Sequence, residues 1–298
     1  MDVWPELVVE EWVETRDTLH MWTQIVGKVR MELTPLVNHW WNVPLYVSTR
    51  GLTTSFIPYR GGGFEMTFDF VDHALHIDTD RADRRSVRLE PKSVATFYRE
   101  TMAALEDLGI EVRILARPVE VESVIPFAED ETHGSYDPKA VERFWHLLMQ
   151  SDRVLTAFRA RFLGKVSPVH VFWGGLDLAV TRFSGRTAPT HPGGAPNCGD
   201  WVMEEAYSHE VSSAGYFPGG GTEGAFYCYA YPEPEGFPAC PVLPAEATYD
   251  TNFREFLLSY EVVRTASDPD AVLLNFLQTT YTAAADLAHW DRASLERP

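Results

Sequence analysis

The sequence predicts an α+β fold in which antiparallel sheets are backed by helices and an internal duplication repeats an α-β4-α unit about a pseudo-two-fold axis. Three observations favour this fold. Long segments carry apolar residues at steps of three and four, which is the spacing of one helix face. Shorter segments between them alternate apolar and polar residues, which is typical of half-buried strands. The same order of helix, strands and helix occurs in both halves of the chain.

In the first half, an amphipathic helix is predicted over residues 14–37, and a second helix begins after Ser93 and ends at Gly109. The alternating segments between these helices predict four strands. The strands cover residues 42–54, 64–70, 75–78 and 87–89. A further short strand is predicted over residues 111–115, after the second helix.

In the second half, a long helix begins after Asp137 and a last helix is capped by Asp268. A proline follows each aspartate, which is a common way to start a helix. Between these helices the pattern predicts four more strands. They cover residues 176–183, 206–212, 226–231 and 260–264.

The two repeats define the domain organisation. The first α-β repeat covers residues 1–117, a connecting loop covers 118–137 and the second repeat covers 138–298, and we expect the repeats to pack as one compact unit. Sheets backed by helices leave a crevice where the halves meet, which is a common position for a ligand site. A chance similarity of short strands is the alternative to a duplication.

The charge balance excludes some classes of partner. The chain has 25 Lys and Arg against 43 Asp and Glu, a net charge of −18, which repels nucleic-acid phosphates and anionic lipid surfaces. Its 3 cysteines include no Cys-x-x-Cys pair, which fits a reducing compartment. The N-terminus has no basic segment followed by an apolar run, and no stretch of about 18 apolar residues occurs. The sequence therefore predicts a cytoplasmic protein without nucleic-acid or membrane partners.

The strand at residues 206–212 carries an ionisable pair, His209 and Glu210. Successive side chains of a strand point to opposite faces, so only one of the two faces a given site. We favour His209 as a catalytic residue, because imidazole serves as a general base near neutral pH or as a metal ligand, and we keep Glu210 as a second catalytic candidate. A histidine that only forms hydrogen bonds inside the sheet is the alternative.

The strand at residues 226–231 places three tyrosines on one face, including Tyr227 and Tyr229. Phenol hydroxyls orient a polar ligand and their rings cover its apolar part. We therefore assign Tyr229 to catalysis and Tyr227 to substrate binding. Tyrosines that only pack between layers are the alternative.

Asp177 is a polar residue in an otherwise apolar strand, and it requires a partner if it is buried. A salt bridge to an arginine is the structural interpretation. The functional interpretation is a catalytic carboxylate close to His209, with Arg182 or Arg50 binding an anionic substrate. A mononuclear iron or zinc site, with His170, His209 and Asp177 as ligands, is a further alternative.

Two other features allow two interpretations each. His20, Gln24 and Lys28 recur at steps of four beside the apolar stripe of the first helix, where they either face solvent or cap the crevice. The loop at residues 187–200 is rich in proline and glycine, and it is either a surface insertion or a lid.

Several strings resemble a bacterial family catalogued only as a domain of unknown function. They are DTLHMWTQIVGK at 17–28, HWWNVPLYV at 39–47, FSGR at 183–186, YSHE at 207–210 and YAYPEP at 229–234. The resemblance covers nearly the whole chain and brings no activity with it. The chain has no Gly-x-Ser-x-Gly elbow, His-Glu-x-x-His motif or Rossmann fingerprint, which disfavours the familiar hydrolases, zincins and dehydrogenases.

Together these features predict a small-molecule enzyme whose site lies in the crevice between the halves. The substrate is expected to be anionic or to carry a carboxylate, and the chemistry is either metal-free acid–base catalysis or assisted by iron or zinc. A non-catalytic ligand-binding protein and a homodimeric scaffold are the alternatives.

Overall fold

The computed structural model describes residues 3–297 and contains two antiparallel sheets with helices packed against them, so the predicted α+β fold is confirmed. The helices are α1 (Val9–Leu33), α2 (Val94–Asp107), α3 (Pro138–Ala160), α4 (Asp200–Ala206), α5 (Tyr260–Arg264), α6 (Pro269–Leu287) and α7 (Arg292–Leu295). None of the helices within residues 3–297 combines the length and the apolar composition that crossing a bilayer requires.

Each sheet has six strands. The first sheet consists of β1 (Tyr46–Ser48), β2 (Gly51–Thr53), β3 (Ile57–Tyr59), β4 (Gly62–Asp69), β5 (Ala74–Thr79) and β6 (Arg84–Arg88). The second sheet consists of β7 (His170–Phe172), β8 (Asp177–Thr187), β9 (His209–Phe217), β10 (Ala225–Tyr231), β11 (Thr248–Asp250) and β12 (Glu255–Ser259).

The two sheets meet edge to edge. The strand order is β1-β2-β4-β5-β6 in the first sheet, with β3 paired to β4, and β11-β12-β10-β9-β8-β7 in the second. Leu45, just before β1, and Val171 in β7 exchange backbone hydrogen bonds of 2.8 and 2.9 Å, which join the sheets. The strand orders of the two sheets differ, and the internal duplication remains a prediction.

The predicted capping residues do start the helices of the structure. Ser93 accepts a hydrogen bond from a backbone N–H in the first turn of α2. Asp137 and Asp268 do the same for α3 and α6, and each is followed by a proline. Side-chain acceptors of this kind satisfy N–H groups that have no partner within the helix.

Several strand predictions differ from the structure. Residues 111–115 form no strand, and the strand predicted at 206–212 begins at His209 and extends to Phe217. The segment 42–54 contains two strands, because the chain turns at residues 49–50 and pairs β1 with β2. The strand predicted at 260–264 is wrong, since these residues form α5 and β12 ends just before them. Tyr260 and Val263 are both buried three residues apart, the spacing of a helix face, and this packing overrides their strand-like composition.

Helix α1 is enclosed by the rest of the molecule. Every side chain from 21 to 30 is buried, because α1 packs against α2, α3 and β3. The polar line of His20, Gln24 and Lys28 therefore does not face solvent, so the solvent-facing interpretation is wrong. The Gln24 side chain forms two hydrogen bonds of 2.9 Å with the backbone of Val119, which fix the connecting loop against α1.

The second sheet has two different faces. On its helix face, Val180 and Arg182 of β8 are buried on the side that packs against α3. On the opposite face, Asp177 and Thr181 of the same strand line a cavity. We call this second surface the cavity face.

Candidate functional site

A cavity of about 990 Å³ lies on the cavity face of the second sheet. Segments outside this sheet also contribute to its wall, among them α1 through Lys28, the turn at residues 39–43, and the connecting loop through Glu120. Residues from both halves of the chain therefore line it. Its volume is at the upper end of the range of about 300–1,000 Å³ in which most small-molecule sites fall.

Aromatic side chains form much of the cavity wall. They include Trp40, Trp41, Phe172, Trp173, Phe183, Tyr207, Tyr227 and Tyr229. Four further apolar side chains of the wall are exposed to solvent, namely Leu115, Trp201, Phe217 and Phe253. Exposed apolar groups around an opening are typical of surfaces that bind ligands.

The loop at residues 187–200 contributes one side of the cavity through Cys198. This loop is attached to the connecting loop, because the backbone N–H of Glu120 donates to the carbonyl oxygen of Pro196 at 2.8 Å. A second bond, from the Asn197 side chain to the carbonyl oxygen of Val121, measures 2.7 Å. The loop is therefore part of the cavity wall.

Asp177 and Tyr227 form a hydrogen-bonded pair inside the cavity, in which the Tyr227 hydroxyl donates to the Asp177 carboxylate. Tyr227 in β10 stands opposite Gly215 in β9, and a Cβ atom at Gly215 would lie 2.5 Å from the phenol oxygen. The glycine therefore lets the ring cross β9 and reach β8. Burial raises the pKa of Asp177 to about 6, although the bond from Tyr227 opposes the shift.

Two further pairs of hydroxyl groups lie next to Asp177 and Tyr227 on the cavity face. The hydroxyls of Tyr229 and Tyr207 are 2.7 Å apart, and the neighbouring Ser213 and Thr181 hydroxyls are 2.9 Å apart. Burial raises the pKa of Tyr229 to about 12, so its hydroxyl stays protonated at neutral pH. These groups give the cavity face a row of neutral donors and acceptors.

Lys28 brings an amine into this cavity from the buried part of α1. Its side chain is 1% exposed, and Nζ lies 5.4 Å from the centroid of the Trp173 ring. Within residues 3–297 it forms no salt bridge and no hydrogen bond through Nζ. Burial lowers the pKa of Lys28 to about 8, and the charges of Cys198 and Glu120 oppose the shift.

Two further carboxyl groups of the wall titrate near neutral pH. The pKa of Glu120 is raised to about 7, mainly by desolvation and also by the charge of Asp177, while Lys28 opposes the shift. The pKa of Glu255 is also raised to about 7, first by burial and then by Asp177 and Asp250. The cavity therefore holds three carboxyl groups and one amine whose pKa values lie within about two units of pH 7.

Of the residues predicted for the site, Asp177, Tyr227 and Tyr229 line the cavity. His209 does not line it, but its ring centroid is 5.7 Å from that of His39, which does. Glu210 lies beside His209 in β9 and binds Arg186 in a salt bridge of 2.7 Å. The structure thus brings together three of the predicted residues.

The two arginines predicted to bind an anion lie outside the cavity. Arg182 is buried on the helix face, with its guanidinium carbon 3.5 Å from the ring centroid of Phe158 and 4.2 Å from that of Tyr281. Burial lowers the pKa of Arg182 to about 10. Arg50 is exposed at the turn between β1 and β2 and belongs to the first sheet.

The three predicted metal ligands are not grouped in the structure. His170 is buried and does not line the cavity, and neither of its ring nitrogens has a hydrogen-bond partner in the described part of the chain. Burial lowers the pKa of His170 to about 3, so the ring is neutral. His170, His209 and Asp177 do not lie within ligand distance of a common point among the described residues.

A different group of donors is close enough to share an ion. Between residues 3 and 297, the one such group consists of Asp69, Asp72 and His76 on the first sheet. Arg50 forms salt bridges with both aspartates, so a cation of the chain already offsets part of their charge. None of these three residues lines the cavity.

Three ionisable residues of the wall, Lys28, Glu120 and Glu255, were not assigned to the site from the sequence. Lys28 had a signal, since it belongs to the polar line of the first helix. Glu255 also had one, because it starts an alternating segment in which Phe256 and Leu258 are buried. Glu120 had none, because an irregular loop carries it and contacts distant in sequence set its position.

The sequence profile of a family of unknown function, DUF5996, matches residues 4–297. The chain belongs to this family. The match confirms the resemblance to an uncharacterised family. No curated protein and no solved structure matches the chain.

Proposed function

We propose that this member of the DUF5996 family is an enzyme that converts a small organic molecule inside the cavity by acid–base chemistry. One observation carries the proposal: Asp177, Glu120, Glu255 and Lys28 line one cavity and have pKa values of about 6, 7, 7 and 8. Acids and bases work best when their pKa lies near the operating pH. Perturbed groups that converge in a cleft are typical of active sites.

The pairing of Asp177 with Tyr227 supports distinct roles for the groups. An aspartate that accepts a hydrogen bond from a phenol is held in its ionised form, so we assign Asp177 as the general base and Tyr227 as the group that orients it. Glu120 is half protonated near pH 7, so it supplies the general acid.

The substrate's polar end is assigned to Lys28. Sequence reasoning predicted an anionic or carboxylate-bearing substrate on the strength of Arg182 and Arg50, which lie elsewhere. Lys28 is the basic side chain of the wall that has no salt bridge among the described residues, and we assign it to contact the polar end of the substrate in their place. Aromatic side chains such as Trp173 and Phe183 cover the apolar part of the molecule.

A ligand-binding protein without catalysis is the second candidate. The exposed apolar side chains at the opening, Trp201 and Phe253 among them, favour it, because they serve binding alone as well as they serve catalysis. The two functions differ in the effect of Asp177→Asn. This variant should stop turnover in an enzyme and only alter affinity in a binding protein.

Co-purification of metabolites tests whether the cavity is a ligand site. Thr181→Phe fills the cavity from the centre of β8, and Glu210→Gln is the control because Glu210 is outside it. Each purified protein is denatured, and the small molecules that it releases are identified by mass spectrometry. Wild type and Glu210→Gln should release the same compounds, and Thr181→Phe should release none. Identical molecules on all three proteins, with Thr181→Phe folded by circular dichroism, would contradict the proposal.

A further inference from the structure

We propose that Lys28 is a nucleophile that condenses with the carbonyl carbon of an aldehyde or ketone substrate to form an imine. This inference rests on the proposed function and names the substrate class of the same site. The observation behind it is an amine that is almost completely buried, has no partner within residues 3–297, and lines a cavity large enough for a substrate.

The surroundings of Lys28 hold its side chain in the cavity wall. The preceding residue is Gly27, where a Cβ atom would lie 2.1 Å from the indole ring of Trp173. The missing side chain therefore lets the indole pack directly against α1. Trp173 is fixed in turn, because its Nε1 donates to the carbonyl oxygen of Val43 at 3.0 Å. Lys28 extends past this ring, with Nζ 5.4 Å from its centroid.

Apart from its cation–π contact with Trp173, the buried amine forms no hydrogen bond or salt bridge within residues 3–297. Burying an ammonium group without a carboxylate partner destabilises the fold, and methionine fills the same space without that penalty. Structural lysines avoid the penalty through a salt bridge, as Lys92 does with Glu100 at 2.7 Å. Without such a bridge, the Lys28 amine is free to lose its proton and react with a substrate in the cavity.

The free amine is available at neutral pH. The titratable groups that act on Lys28 are Cys198 and Glu120, and burial outweighs both, so that the pKa of Lys28 falls to about 8. At pH 8 about half of the Lys28 side chains are then neutral, whereas an ordinary lysine is neutral in about 0.3% of molecules. Desolvation in an apolar pocket is a general way to activate a lysine nucleophile.

Glu120 supplies the proton transfers that imine formation requires. The lone pair of neutral Nζ attacks the carbonyl carbon, and the carbonyl oxygen takes the proton of the Glu120 carboxylic acid. The nitrogen then returns one proton to Glu120, and Glu120 passes it to the hydroxyl group, which leaves as water while the nitrogen lone pair forms the C=N bond. The net reaction converts the neutral amine, the carbonyl compound and protonated Glu120 into the protonated imine, one water and the Glu120 carboxylate. Gly174 permits the position of Glu120, since a Cβ atom there would lie 2.0 Å from Oε1.

Reductive trapping tests the inference with few competing sites, since the chain has four lysines: Lys28, Lys92, Lys139 and Lys165. The wild-type protein is incubated with benzaldehyde, whose ring suits the aromatic wall, and with cyanoborohydride, which reduces imines to stable benzylamines. Peptide mapping by mass spectrometry gives the rate at each lysine. At pH 7.5 Lys28 should react on the order of 100-fold faster than the exposed Lys139, because burial gives the Lys28 amine a large neutral fraction.

Two further readouts separate a catalytic amine from an accidental reaction. The rate at Lys28 should level off above about pH 8, the pKa of its amine. Glu120→Gln should slow labelling of Lys28 at least tenfold without changing the rate at Lys139. A rate at Lys28 no higher than that at Lys139, or labelling that Glu120→Gln leaves unchanged, would overturn the inference. If trapping fails while Thr181→Phe still abolishes metabolite retention, the cavity remains the functional site and only the imine is lost.

Discussion

Replacement of Lys28 by methionine should make the protein more stable at neutral pH. The pKa of Lys28 is lowered from 10.5 to about 8 in the folded chain, so the fold favours the neutral amine. A shift of this size corresponds to about 3 kcal/mol at 1.36 kcal/mol per pKa unit. Methionine has a similar length and no charge, so Lys28→Met should raise the free energy of unfolding at pH 7 by up to about 3 kcal/mol.

Because the folded chain lowers the pKa of Lys28, the stability difference between wild type and Lys28→Met depends on pH. Because the folded pKa lies below the unfolded value, the unfolded chain binds more protons between about pH 8 and pH 10.5. The free energy of unfolding of the wild type therefore rises with pH across this window. The full destabilisation by the buried Lys28 ammonium is present only below about pH 8. The advantage of Lys28→Met should accordingly shrink towards zero by about pH 10.5.

Urea unfolding of wild type and Lys28→Met at pH 7 and pH 10, followed by tryptophan fluorescence, measures this difference. Lys139→Met is the matched control, because Lys139 is exposed and should show no difference at either pH. A variant that is less stable than wild type at pH 7, or an advantage that stays constant between pH 7 and pH 10, would refute the description of Lys28 as a buried amine without a partner.

Three other substitutions test the geometry of the cavity. Gly215→Ala should destabilise the chain by about 1–3 kcal/mol, because the added Cβ lies 2.2 Å from the Leu178 carbonyl oxygen, and unfolding by heat measures the loss. Tyr227→Phe removes the bond that stabilises ionised Asp177, so the pKa of Asp177 should rise above about 6 in a carbon-13 NMR titration, and an unchanged value would contradict the pairing. Arg182→Met should leave metabolite retention unchanged, since Arg182 packs on the helix face, and lost retention would place it functionally in the site.

Local signals explain which parts of the fold the sequence predicted. Ser93, Asp137 and Asp268 cap helices through bonds to residues two or three positions away, so a short window contains the whole interaction. The segment at 260–264 shows the limit of such signals. Its composition favours a strand, but its helical packing depends on residues far along the chain.

The same distinction holds for the site. Strand alternation was enough to place Tyr227 and Tyr229 on one face, and the isolated polarity of Asp177 marked it correctly as a residue of the cavity wall. Alternation applied to β8 would also have separated Arg182 from Asp177, because five positions apart in a regular strand means opposite faces. Glu120 was out of reach, since its place depends on how the connecting loop packs against Pro196.

The most direct test of the acid–base proposal is a comparison of turnover by wild type and Asp177→Asn. Both proteins are incubated with a small-molecule extract of the expressing cells, and untargeted mass spectrometry follows which compounds disappear and which appear. We predict that wild type consumes at least one compound and that Asp177→Asn, folded and still able to retain that compound, converts it at least 100-fold more slowly. Equal conversion by the two proteins would contradict the account, as would retention of a compound that neither protein changes.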